Sequence, residues 1–187
     1  MTREDLISEA YLQEQQRLHA APRGYGGRGS KWASVVHETM KEFSCRSVLD
    51  YGCGQGTLLR ALQAFGRPDR ILREYDPAIP GKAEPPTEPA DLVVCTDVLE
   101  HIESDKIHGV LLHLSALTGR ILFVVVSLVP TSKTLSDGRQ AHILLRSVDW
   151  WKYQLCDHGF QLSRRIIGRD PKKDHKQFAA LWVSCKR

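Results

Sequence analysis

Ser47-Val48-Leu49-Asp50-Tyr51-Gly52-Cys53-Gly54-Gln55-Gly56-Thr57-Leu58-Leu59 decides how the rest of the chain is read. Val48 and Leu49 are the apolar end of a buried strand. Gly52, Gly54 and Gly56 follow at every second position, and Leu58, Ala61 and Leu62 then take up helical spacing. Glycines so close together let the chain turn tightly and let a ligand meet bare backbone. The dinucleotide fingerprint G-x-G-x-x-G has its third glycine one place later and seats a pyrophosphate at the helix N-terminus. Here the spacing is G-x-G-x-G, and Asp50 stands two places before the first glycine. A carboxylate so near repels phosphate and suits a ligand that carries an ammonium group. A glycine turn without a ligand is the plain structural alternative.

The combination resembles the first motif of the class I S-adenosylmethionine-dependent methyltransferases. That resemblance implies S-adenosylmethionine as cofactor, with Gly52, Gly54 and Gly56 at its methionine end and Asp50 on its ammonium, directly or through water. Downstream, Glu74-Tyr75-Asp76-Pro77 ends a short strand in acid. Asp76 lies about 20 residues beyond Gly56, where a nucleotide fold places an acid on ribose hydroxyls. The family pattern likewise puts Asp76 on the ribose, with Glu74 as the fallback. In a second stretch, residues 91–102, a buried strand runs into a polar turn. Its order Thr96-Asp97-Val98-Leu99-Glu100-His101-Ile102 closely resembles the fourth-strand motif of small-molecule methyltransferases. Ligands of open parallel sheets lie beyond the carboxyl ends of the strands, which places Thr96 and Asp97 beside the sulfonium. Glu100 and His101 are expected to start the following helix. His101 is either a candidate base or a structural histidine bonded to backbone.

Residues 119–127 form a continuous, β-branched run, as a central parallel strand should. The polar loop that follows, residues 130–142, leaves the same sheet edge and carries Lys133, Asp137, Arg139 and His142. Loops at that edge carry function, so Asp137 and Arg139 are expected to bind the acceptor, with Trp150 as pocket wall. His142 is the first candidate base and His101 the second, since histidine titrates near neutral pH. Ser147 caps a further helix. Residues 161–168 and 177–186 alternate as an antiparallel pair joined by a basic turn, residues 169–176, which reads as an edge guard.

Ahead of the glycine turn, residues 2–20 predict a polar helix with Thr2 as cap and Leu6, Ala10 and Leu18 as a partial apolar face. Residues 31–43 predict a second helix, burying Trp32, Val35, Val36, Met40 and Phe43. The linker Arg23-Gly24-Tyr25-Gly26-Gly27-Arg28-Gly29-Ser30 is expected to cover the cofactor, although alternating basic, aromatic and glycine residues also suit single-stranded RNA. Residues 79–90 hold four prolines in too short a span for a helix and a strand. The third strand usual in the family is therefore reduced or missing, and no residue is assigned to the adenine.

The 187 residues fit one domain, 1–187, with N-terminal helices and lid over 1–43 and a Rossmann-like core over 44–187. The expected fold is an α/β/α three-layer sandwich, its sheet mostly parallel with an antiparallel terminal strand. A net charge of +4 permits an anionic partner without demanding one. Five scattered cysteines form no C-x-x-C pair, so neither a metal site nor a disulfide framework is expected, and a reduced cytoplasmic setting fits. No secretory signal is visible, and the longest apolar run falls far short of the ~20 residues of a membrane helix. The family resemblance implies methyl transfer to oxygen or nitrogen of a small molecule. No N-P-P-Y-like tetrapeptide or Pro-Cys nucleophile is present, which disfavours a DNA base as acceptor. Two other readings stay open: an RNA-directed enzyme or nucleic-acid module using Arg23, Arg28 and the 169–176 turn, and a cofactor-binding domain without catalysis.

Overall fold

A computed structural model describes residues 1–21, 25–66, 69–166 and 176–185. Six strands form one sheet: β1 (Ser47–Tyr51), β2 (Ile71–Tyr75), β3 (Ala90–Thr96), β4 (Thr118–Ser127), β5 (Phe160–Arg165) and β6 (Gln177–Ser184). Their order is β2-β1-β3-β4-β6-β5. β1 pairs parallel with β2 and β3, and β3 with β4, while β6 runs antiparallel to both β4 and β5. The expected mostly parallel sheet with an antiparallel terminal strand is what forms. The carboxyl ends of β1 to β4 share one edge, and the chain turns outward in opposite directions from β1, to β2 on one side and β3 on the other. That is the switch point at which such sheets bind ligands.

Alternate residues of each strand face opposite layers, and the core divides accordingly. Leu49, Val93, Cys95, Leu122 and Val124 pack with α4 (Ile107–Leu117) and α5 (Val148–Asp157), including the fully buried Trp151. Val48, Leu92, Val94, Phe123 and Val125 pack with α2 (Ala33–Glu42) and α3 (Thr57–Gln63). Ser147 caps α5 by accepting a hydrogen bond from the Trp150 N–H. Of the tryptophan pair, Trp151 fills the core and Trp150 is only partly buried against it.

Between β2 and β3, residues 76–89 make turns and no strand. The proline-rich path is held by side chains: His113 donates from Nε2 to the Pro86 carbonyl at 2.9 Å, and the Arg73 guanidinium donates to the Pro89 carbonyl at 2.6 Å. The N-terminal helix is shorter than its sequence predicts. Thr2 caps only a 3-10 turn, Arg3–Asp5, and Ser8 caps α1 (Glu9–Ala20). Ala10 is exposed, and Tyr11, Leu12, Gln15 and Leu18 are the buried face of α1. Glu100 and His101 do not start α4; they sit in a separate 3-10 turn, Leu99–His101, and α4 begins at Ile107. Arg23 and nearly all of the basic 169–176 turn lie outside the described residues.

Candidate active site

One cavity of about 800 Å³ opens over the carboxyl edge of the sheet. Gly52, Cys53 and Gly54 line its floor beside Asp50. Gly52 (φ 75°) and Gly54 (φ 50°) both adopt the left-handed conformation that costs glycine least. The turn is pinned from β2: Gly52 N–H donates to the Tyr75 carbonyl at 2.7 Å, and Gly54 N–H donates to Asp76 Oδ2 at 2.9 Å. Asp76 Oδ1 accepts from the Ala78 N–H at 3.0 Å. The acid at the β2 end thus organises the turn and borders the cavity at once. Gly56 and Glu74 stand behind it. Glu74 pairs with Lys82 at 2.6 Å, and a Cβ at Gly56 would strike that carboxylate. Of the two candidate ribose acids, Asp76 is the one on the cavity wall.

Asp50 is 3% exposed, and burial, reinforced by the carboxylates of Glu74 and Asp76 and opposed by Lys82, pushes its pKa up to about 7. Such a group gains from a cation placed next to it. Thr96 and Asp97 line the next stretch of wall. Asp97 carries a positive φ of 57° at the end of β3, and its carboxylate pairs with Lys31 at 2.6 Å. A residue other than glycine held there is a strained position, of the kind found at ligand sites.

Farther along, His101 and His142 meet edge to face with centroids 4.8 Å apart. His101 Nδ1 lies 2.8 Å from the Ala141 carbonyl and His142 Nδ1 lies 2.7 Å from the Val129 carbonyl. A carbonyl only accepts, so each Nδ1 carries a proton, and in the neutral imidazole the lone pair is then on Nε2. The Tyr25 hydroxyl sits 3.0 Å from His101 Nδ1 and 3.1 Å from its Nε2. Burial, then the neighbouring His142, drives the His101 pKa down to about 3. Glu100 beneath them is fully buried; its Oε1 accepts from the Ser127 N–H at 2.9 Å while Oε2 has no hydrogen-bond partner. Burial, with Asp97 second, raises the Glu100 pKa to about 8.

The predicted acceptor loop contributes Pro130 to Lys133 and His142 to the cavity, but not Asp137 or Arg139. Those two pair with each other at 2.7 Å on the exposed turn. Trp150 is also off the cavity, stacked edge to face on Trp151. What the loop does instead is hold α1: Glu14 accepts from Ser136, through its N–H and its hydroxyl, and Arg17 donates to the Thr134 carbonyl. So fastened, α1 roofs the cavity with Tyr11, Gln15 and His19, three residues at four-residue spacing whose Oη, Nε2 and Nδ1 lack partners. Sequence reading missed them, because it sought an apolar stripe on a helix whose inward face is polar. Tyr25 and Gly26 lie on the glycine turn itself, their carbonyls accepting from Gln55 at 3.0 and 3.1 Å.

The family model described as a methyltransferase domain matches residues 25–170. The chain belongs to this methyltransferase family. No curated protein sequence matches it. Among solved structures it is similar to magnesium protoporphyrin IX methyltransferase from Synechocystis PCC 6803 with bound S-adenosylhomocysteine, at 19% identity and TM-score 0.60, covering 94% of each chain. It is also similar to 1,6-didemethyltoxoflavin-N1-methyltransferase of Burkholderia thailandensis, at 14% identity and TM-score 0.63, covering 95% of this chain and 84% of that one. An S-adenosylmethionine-dependent methyltransferase from Clostridium acetobutylicum aligns over 95% of this chain and 98% of its own, at 12% identity and TM-score 0.59. At such identities the likeness is one of fold. Among the described residues no helix is long and apolar enough to cross a membrane.

Proposed function

We propose that this methyltransferase uses S-adenosylmethionine and methylates an oxygen or nitrogen of a small-molecule acceptor. The supporting observation is a single cavity continuous from the acid-flanked glycine turn to the lone pair of His142. The residues present fit the cofactor. Asp50 offers a buried carboxylate to an ammonium, Gly52 and Gly54 offer bare backbone, and Asp76 offers acceptor oxygens to ribose hydroxyls. Thr96 and Asp97 border the sulfonium end. The cofactor supplies an activated methyl group; the chain orients the acceptor, excludes water and takes a proton. Much of the acceleration in such a site comes from alignment.

His142 is the base for a hydroxyl or ammonium acceptor, through Nε2. His101, held neutral by burial, positions Tyr25 and His142. Residues 1–43 act as the lid, with α1 above the acceptor and Tyr25 to Gly29 above the cofactor. Trp32 and Lys31 anchor that lid, the first in the core and the second on Asp97. The test is to incubate the protein and a cell extract with cofactor bearing a deuterated methyl group, then search by mass for labelled small molecules. Tight cofactor binding without any labelled product would leave a binding domain without catalysis.

A further inference from the structure

We propose that Glu100, His101 and His142 bind a divalent first-row transition ion, Zn2+ in the first instance, whose open face takes the acceptor's hydroxyl oxygen. One ligand atom from each of the three lies within 4.8 Å of the others, the only such trio among the described residues. Bonds of ~2.1 Å at tetrahedral angles put ligand atoms about 3.4 Å apart, so the widest pair closes by up to about 1.4 Å on binding.

The hydrogen bonds of all three residues are of the kind that metal ligands make. Imidazoles on metals characteristically donate their second N–H to a carbonyl or carboxylate. Here Nδ1 of His101 donates to the Ala141 carbonyl and Nδ1 of His142 to the Val129 carbonyl, at 2.8 and 2.7 Å. That makes Nε2 the metal-binding nitrogen of each ring, with the Tyr25 hydroxyl 3.1 Å from that of His101. Glu100 is anchored through Oε1 by the Ser127 N–H at 2.9 Å, and its Oε2 is fully buried with no partner. A buried carboxylate oxygen left without a donor is costly; a cation beside it removes that cost. The three residues come from two segments, the 3-10 turn after β3 and the loop after β4, which the sheet brings to one edge.

Two imidazoles and one carboxylate favour a borderline ion over Mg2+ or Ca2+, which prefer all-oxygen sites. Three protein ligands leave at least one coordination position open, toward the cavity that all three residues line. An acceptor hydroxyl or phenol bound there would give up its proton to water more readily, as metal-bound water does. His142 would then serve as ligand and not as base. Tyr25, whose hydroxyl is 3.1 Å from His101 Nε2, competes with the ion for that lone pair. The acceptor's role rests on the methyl-transfer reading; binding of the ion does not.

The test uses chelator-treated full chain, titrated with Zn2+ by calorimetry and with Co2+ by visible absorption. One ion per chain is expected, with a cobalt spectrum lacking thiolate charge transfer and a higher melting temperature. Glu100→Gln and His142→Ala should each weaken binding at least 100-fold, His108→Ala should leave it unchanged, and Tyr25→Phe should tighten it several-fold. Should Glu100→Gln not fold, the half-buried His142 carries the test. Binding that survives in His142→Ala, a thiolate cobalt spectrum, or no binding by folded protein would overturn the inference. Calorimetry with S-adenosylhomocysteine on the same samples separates the two readings: cofactor without ion refutes this one alone, and ion without cofactor refutes the methyl-transfer reading.

Discussion

Asp50→Asn should stabilise the empty protein and weaken its grip on the cofactor, two effects of opposite sign from one oxygen-for-nitrogen exchange. Asp50 is 3% exposed, and its surroundings include the carboxylates of Glu74 and Asp76, with Lys82 as the opposing charge and the Cys53 thiol nearby. Its pKa rises from an ordinary 3.8 to about 7 on folding. The folded state therefore holds a proton that the unfolded chain releases, and stability is lost as pH climbs from about 4 through 7. At 1.36 kcal/mol per pKa unit, the full loss by pH 8 is of the order of 4 kcal/mol. The asparagine variant escapes it. For a domain of this size that corresponds to a melting temperature about 10 °C higher at pH 8, shrinking toward zero near pH 4. If Asp50 holds the cofactor's ammonium as proposed, the same exchange removes a charge-assisted contact worth about 1.5–3 kcal/mol, and cofactor affinity should fall by about 10- to 100-fold. Thermal melts across pH, with and without S-adenosylhomocysteine, measure both. An unchanged or lower melting temperature at pH 8 refutes the argument from burial. A raised one with undiminished affinity removes Asp50 from the cofactor site.

Asp76→Asn should weaken cofactor binding tenfold or more by calorimetry. It should melt a few degrees lower, because one of the Gly54 and Ala78 N–H groups loses its acceptor. Gly54→Ala puts a Cβ 2.5 Å from the Gly26 carbonyl at a φ of 50°, so it should lift residues 25–29 off the turn and speed proteolytic cleavage near them. Trp182→Ala, fully buried in the core, should cost about 3–5 kcal/mol in urea unfolding without altering the cavity. Ser147→Ala should cost about 1 kcal/mol, the usual worth of an N-cap.

The sheet was legible because each central strand is a short apolar run ending in a glycine or polar turn. Val48-Leu49, Leu92 to Cys95 and Ile121 to Val126 are all fully or almost fully buried. The missing third strand was legible for the opposite reason: prolines cannot donate to a ladder, and the span up to β3 at Ala90 is too short for a helix and a strand. The direction of loop side chains was not legible. Asp137 and Arg139 are two apart and satisfy each other on the surface, whereas Glu100 and His142, far apart in sequence, converge only because β3 and β4 are neighbours. Nor does a polar helix announce which polar face is inward. Ser8 and Glu14 tie α1 down through Glu103 and Ser136, contacts about a hundred residues distant.

The distribution of unsatisfied groups gives these inward polar residues a common reason. Ten buried side-chain polar atoms lack a partner among the described residues, and five of them belong to cavity-lining residues: Tyr11, Gln15, His19, Tyr75 and Glu100. Each such atom costs about 1–3 kcal/mol when left alone. A chain selected for stability alone would replace them with apolar side chains of similar shape. Gathered around one cavity, they are a penalty that a ligand with matching donors and acceptors removes, so part of the stability the empty protein forgoes returns as affinity. The cavity should therefore discriminate by hydrogen bonding more than by size, and an acceptor stripped of its polar groups should bind poorly even if it fits.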